Sequence, residues 1–196
     1  MMPTILPLNY FGSIGYFRCL IGRNVLIDVH EHFIKQTERS RCAILSANGR
    51  IHLSIPVSKP NGSKTAMKDV VISYSKEWQR IHWKAIESAY ASSSFFEDYA
   101  DDIRSLITSK FVYLIDFNLA SIELVNKWLN LELTYSISDT FLDGEHSIDL
   151  RLAQFVEKDT AHYYQLFKPN GEFEKGLSIL DILFSEGPMA RKWIID

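Results

Sequence analysis

The sequence predicts an α/β protein: a mixed sheet from the N-terminal half with a hairpin near residues 42–57, packed by helices from residues 76–131 and by a C-terminal helix. Three observations carry that expectation. Short apolar runs separated by turn residues fill the first third of the chain, the pattern of strands. Asn48-Gly49 lies between two such runs, and that pair accepts the positive φ of a tight hairpin turn. Beyond residue 76 the apolar spacing changes to the helical period.

Taken in order, residues 4–8 read as a strand, 13–21 as a short helix and 25–29 as a second strand. Residues 43–45 and 51–57 flank the Asn-Gly turn as antiparallel partners. A polar loop over 58–64 precedes a strand at 70–72. Trp78, Ile81, Ala85, Ile86 and Ala89 recur at helical spacing, with Ser75 placed to cap and Glu77 in the first turn, where the helix dipole favours negative charge. Ser94 and Glu97 have capping-box spacing ahead of the stripe Tyr99, Ile103, Leu106 and Ile107. Residues 112–131 carry apolar side chains on more than one face and are expected to form the most buried helix. Periodicity fades over 132–158. A strand is expected at 163–167 and a turn at Pro169-Asn170-Gly171, and Ser178 is placed to cap an apolar helix that runs through Phe184 and stops at Gly187-Pro188. No repeat, low-complexity tract or linker divides the chain, so residues 1–196 read as one domain.

Composition narrows the function classes. With 46% hydrophobic and 23% charged residues the chain is of ordinary globular type. A net charge of −3 supplies no positive field to gather nucleic acid phosphates, so nucleic acid is not an expected partner. Cys19 and Cys42 match neither a disulfide framework nor a zinc pattern, and both are expected to be reduced and buried. No Lys or Arg precedes Arg18 and no stretch of 18 uncharged residues follows, so neither an export signal nor a membrane span is expected, and the cytoplasm is the expected location. Nothing in the residues names a cofactor or an oligomeric state.

The densest group of chemically capable residues is Asp28, His30, Glu31, His32, Lys35, Arg39 and Arg41. If the second strand continues to residue 32, Asp28, His30 and His32 share one face, because side chains alternate along a strand. His-x-His on a strand can chelate a metal; the plainer reading is a solvated pair at a strand end. Lys35, Arg39 and Arg41 can hold a phosphate or carboxylate, or form a solvated basic turn. His82 lies on the apolar stripe of its helix and points inward, as a core histidine or a catalytic one. Tyr10 and Tyr16 flank a glycine-containing turn after the first strand, where α/β proteins often bind ligands. Asp181 falls inside an apolar helix and needs an Arg or a backbone donor as partner. There is no GxGxxG or P-loop pattern and no GxSxG elbow, and neither cysteine has an activating context.

Five ordered segments together resemble the WbqC-like family. They are the opening from Leu6-Pro7 to Gly15-Tyr16-Phe17; the basic stretch over 28–41 followed by Leu53-Ser54-Ile55-Pro56-Val57; the helix over 78–90 with His82; Phe95-Phe96-Glu97-Asp98-Tyr99; and Leu177-Ser178-Ile179-Leu180-Asp181-Ile182-Leu183-Phe184. Residues 136–160 depart from the family by lacking its Ser-Gly-rich stretch. The resemblance implies a bacterial protein linked to surface-polysaccharide (O-antigen or capsule) or lipopolysaccharide decoration. It further implies transfer of an amino-acyl or similar group from a small anionic activated donor to a sugar acceptor. On this reading Lys35, Arg39 and Arg41 bind the donor, with Tyr10 and Tyr16 beside the substrate. His30 is the general base, oriented by Asp28, and His82 is a second catalytic candidate. Tyr16, His30, Lys35, Arg41 and His82 are then expected to converge on one pocket. The rival reading is a non-catalytic binding or assembly subunit of the same pathway; a third is metal-assisted hydrolysis through His30 and His32.

Overall fold

The computed structural model describes residues 2–22, 24–156, 162–168 and 172–195. Its centre is a four-stranded parallel sheet in the order β7-β2-β1-β8. β1 (Thr4–Leu6) pairs in parallel with β2 (Val25–Ile27) in the register Thr4↔Val25 to Leu6↔Ile27. α1 (Ile14–Leu20) makes the crossover, and the Ser13 side chain caps it by accepting from the Tyr16 N–H. Ile5, Leu6, Val25 and Ile27 are all buried, as expected of short apolar strands covered on both faces.

The α/β class therefore matches the expectation, but the parallel sheet does not come from the N-terminal half alone. Its edges are β7 (Tyr135–Ile137), beside β2, and β8 (Ile148–Asp149), beside β1. At three and two residues these strands are too short to display a period of two, which explains why the stretch over 132–158 looks irregular in sequence.

The first two strands also end two residues early. Pro7 follows β1 and has no N–H to donate. After β2 the Asp28 carboxylate turns the chain by accepting from the backbone N–H groups of His30 and Glu31, at 2.9 and 3.1 Å. Asp28, His30 and His32 consequently do not share a strand face.

β3 (Arg41–Ser46) and β4 (Gly49–Ser54) form the expected hairpin around Ala47-Asn48, with Gly49 at φ 98°. β5 (Val57–Ser58) and β6 (Val71–Ile72) make a second, smaller antiparallel pair. The helices α2 (Trp78–Tyr90), α3 (Phe96–Thr108) and α4 (Leu114–Leu129) follow. Neither expected cap forms. α2 begins after Glu77, while the Ser75 hydroxyl bonds that of Ser73, and α3 begins after Phe95 with no side-chain cap.

α5 (Ile179–Glu186) buries every residue from Ile179 to Phe184 and, rather than α4, is the most completely buried helix. Ser178 caps it as expected, accepting from the Leu180 N–H, and Gly187 ends it at φ 55°. α6 (Ala190–Ile195) closes the described chain. Residues 163–167 form no strand: the Gln165 side chain satisfies itself on the Glu174 backbone, donating to its carbonyl and accepting from its N–H. The turn expected at Pro169-Asn170-Gly171 lies outside the described residues.

The core is strongly aromatic, with Tyr10, Tyr16, Tyr90, Phe11, Phe17, Phe117 and Phe184 among its largest fully buried side chains. Both cysteines are free thiols, Cys42 buried and Cys19 half-buried. Inside α5 the Asp181 carboxylate accepts from the Tyr90 and Tyr163 hydroxyls, each at 2.7 Å, where the sequence pointed to an Arg or a backbone donor. No helix among the described residues is long and apolar enough to cross a membrane.

Candidate functional site

A pocket of about 490 Å³ opens at the carboxyl end of β1, the position at which open α/β sheets commonly bind ligands. Its walls come from the segment after β1, the approach to β3, the outer face of the hairpin, residues 151–156 after β8, and residues 175–178 before α5.

The segment after β1 is pinned from several sides. The Asn118 amide donates to the Leu8 and Arg39 carbonyls at 3.1 and 2.8 Å, and the Tyr10 N–H donates to the Glu38 carbonyl at 2.8 Å. Ser13 Oγ donates to the Phe155 carbonyl at 2.6 Å and Ser178 Oγ to the Phe11 carbonyl at 2.7 Å. Phe11 sits at φ 41°, a conformation a bulky residue adopts only when its surroundings over-determine it. A Cβ on Gly12 would lie 2.5 Å from the Tyr16 ring, and one on Gly15 3.0 Å from the Phe155 backbone. The glycines of this turn therefore serve close packing. Asn9, on the pocket wall, donates from Nδ2 to Glu38 at 3.0 Å.

Two buried ion pairs form the back wall. Arg39, only 3% exposed, grips Glu31 bidentately through Nε–Oε1 at 2.9 Å and Nη2–Oε2 at 2.6 Å, and Nη2 also donates to the Arg151 carbonyl. Burial pushes the Glu31 carboxyl up, and the Arg39 hydrogen bond and charge pull against that. Arg151 reaches the fully buried Asp28 at 2.6 Å and Asp149 at 2.5 Å. Their hydrogen bond holds the Asp149 carboxyl below its usual range. The positive charge of this wall is thus spent internally.

The opposite wall is different. In the hairpin register Arg41 faces Ser54, Ala43 faces His52 and Leu45 faces Arg50, so alternation puts Arg41, His52 and Arg50 on one face. Arg50 donates to Glu174 at 2.9 Å and to the Lys175 carbonyl. The Arg41 side chain makes no hydrogen bond or ion pair among the described residues, and the residue is only half-buried. The His52 imidazole is shifted down by partial burial first and then by the charges of Arg41 and Arg50, which keeps it neutral near pH 7. A cation without a carboxylate partner among the described residues thus lines the same pocket as a neutral imidazole.

Of the site residues singled out from sequence, Arg39 and Arg41 alone line this pocket. The expected convergence of Tyr16, His30, Lys35, Arg41 and His82 is therefore not what the fold builds. Tyr10 and Tyr16 are fully buried, and Tyr16 donates to the Pro7 carbonyl at 2.8 Å. His82 is also buried. Its Nε2 lies 3.2 Å from the Ser54 carbonyl, which can only accept, so Nε2 carries the proton and Nδ1 accepts from the Tyr10 hydroxyl at 3.2 Å. Burial lowers the His82 pKa to about 4. His30 is half-buried with its backbone N–H on Asp28, and Lys35 is exposed; neither reaches the pocket wall. His32 is exposed, its backbone bridged to Ala66. Among the described residues no group of three or more His, Cys, Asp or Glu side chains could hold a metal ion.

Sequence reading missed His52 and Arg50. The signal was present: the two-residue turn fixes the register, and Arg50, His52 and Ser54 alternate with the apolar Ile51 and Leu53.

Comparison with known proteins gives two matches. The model of the WbqC-like protein family matches residues 8–165, a span that begins just after β1 and includes the hairpin, α2 to α4 and most of the pocket wall. The uncharacterized protein Rv1507c of Mycobacterium tuberculosis is 22% identical over 228 aligned positions, covering 97% of this chain and 96% of that protein. No solved structure matches the chain significantly.

Proposed function

We propose that this chain, which belongs to the WbqC-like protein family, is a transferase of surface-polysaccharide biosynthesis that holds the anionic end of an activated donor against Arg41. The observation that carries the reading is the half-buried Arg41 guanidinium, left without a carboxylate partner among the described residues on the wall of a concave pocket. A planar guanidinium binds phosphate or carboxylate through two parallel hydrogen bonds, and a concave wall limits competition from water. Arg50, tied to Glu174, adds positive potential beside it.

His52, rather than His30, is the base on this reading. Its neutral imidazole takes the proton of a sugar hydroxyl as that oxygen bonds to the acyl carbon. The bond from the acyl carbon to the donor's phosphate oxygen breaks, and the phosphate leaves on Arg41. Family membership supports the polysaccharide context, and the pocket supports the anionic donor.

The test is a thermal-shift screen of the protein against inorganic phosphate, nucleotide-sugars and acyl phosphates. Selective binding stabilises the folded state, by about 2.7 kcal/mol at a hundred times Kd, and so raises the melting temperature. Arg41→Ala should abolish the shift given by every phosphate-containing ligand while leaving the unliganded melting temperature nearly unchanged, because a half-exposed unpaired charge contributes little to stability. An unaltered phosphate response in that variant rules out Arg41 as the anion site.

A further inference from the structure

The pocket has a second chemical character. Three large apolar side chains on its wall face solvent: Ile34 is 36% exposed, Val156 50% and Leu152 80%. Beside them the exposed Phe141 ring covers the Arg151 guanidinium at 5.0 Å. Scattered exposed apolar residues are ordinary, but three bordering one concave cationic site form a patch of the kind that marks a binding surface. They come from two separate segments, one ahead of β3 and one after β8, that both line this pocket.

We propose that the donor is a soluble anionic amphiphile, an acyl phosphate whose phosphate meets Arg41 and whose aliphatic portion lies across Ile34, Leu152 and Val156, and for which alkyl phosphates are unreactive mimics. The proposal rests on the anion-binding reading above and adds the class of the group attached to the anion. Two observations select a small soluble molecule over a lipid in a bilayer. A concave pocket of about 490 Å³ is of the size that encloses a small organic ligand. The net charge of −3 works against attraction to an anionic membrane.

The experiment measures affinity for inorganic phosphate, ethyl phosphate, butyl phosphate and hexyl phosphate by calorimetry, using the full chain. Affinity should rise along the series by roughly fourfold for each methylene that becomes buried, the factor set by methylene transfer from water. Leu152→Ser and Val156→Ser should flatten that rise while leaving the affinity for inorganic phosphate unchanged. Both side chains are at least half exposed, so these variants keep the fold, which an unchanged melting temperature verifies.

A flat series in the wild-type protein, with inorganic phosphate still bound, overturns this proposal and leaves the anion site standing. Absence of binding by every phosphate, inorganic phosphate included, overturns both. Vesicles of phosphatidylcholine containing phosphatidic acid should not sediment the protein. If they do, and hexyl phosphate binds no more tightly than phosphate, the occupant is a membrane lipid and the soluble amphiphile is excluded.

Discussion

At the scale of single residues, His82 and His52 show how one side chain takes opposite roles in two environments. His82 spends both ring nitrogens on Tyr10 and Ser54 inside the protein, and burial holds its pKa at about 4. In the unfolded chain it titrates near the ordinary histidine value, about 6.5. Below that value the unfolded state binds a proton that the folded state refuses, so stability is full above about pH 6.5 and falls as the pH drops toward 4. The loss over that window is on the order of 3 kcal/mol for one proton across the shift. Chemical denaturation at a series of pH values should show this decline in the wild type and a shallower one in His82→Gln. Equal slopes would separate the acid sensitivity from His82. His52 instead faces a pocket with two arginines beside it, and the same neutral state makes it available to a ligand. Sequence alone ranked His30 and His82 first because they stand near charges or on an apolar stripe. Position along the chain does not reveal which ring nitrogens are already occupied.

At the scale of elements, the most informative join is between α5 and the segment after β1. Ser178 accepts from the Leu180 N–H at the start of α5 and donates from the same hydroxyl to the Phe11 carbonyl, while its backbone N–H donates to the Ala43 carbonyl in β3. One residue thus ties the apolar helix, the strained Phe11 and the hairpin at the edge of the pocket. Ser178→Ala removes the cap, which is worth about 1 kcal/mol, and leaves the buried Phe11 carbonyl short of a donor, for about 1–3 kcal/mol more. Urea denaturation of that variant should therefore show a loss of about 2 kcal/mol or more. A loss well under 1 kcal/mol would mean that the segment after β1 holds its shape without this hydroxyl. Among the caps, Ser178 was legible in sequence because a helix of strong apolar character follows it directly. Ser75 and Ser94 have equally good capping residue types, but the N-cap positions of α2 and α3 fall downstream of them, two residues on at Glu77 and one residue on at Phe95, where tertiary packing sets the entry.

At the scale of the whole molecule, the parallel sheet joins distant parts of the chain. β1 and β2 from the first thirty residues lie between β7 and β8, which come more than a hundred residues later. Arg151, just after β8, reinforces that closure by pairing with Asp28 at the end of β2. Arg151→Ala strips a fully buried carboxylate of its cation, a change that costs about 3–5 kcal/mol. Because the pair links both halves of the chain, the loss should appear as a lower midpoint of one cooperative transition, followed together by far-ultraviolet circular dichroism and tryptophan fluorescence. Two separated transitions would mean that the halves unfold independently. The sequence by itself determined the α/β class, the hairpin, the three middle helices and the buried C-terminal helix, because each is encoded by local periodicity or a specific turn pair. It also marked Arg41 as an anion ligand candidate by its chemistry. Only the tertiary structure decided that Arg39 is consumed by Glu31, that Tyr10, Tyr16 and His82 are core, and that His52 and Arg50 share the pocket with Arg41. Which cation stays unpaired depends on contacts between segments far apart in the chain, and residue type at one position carries no record of them.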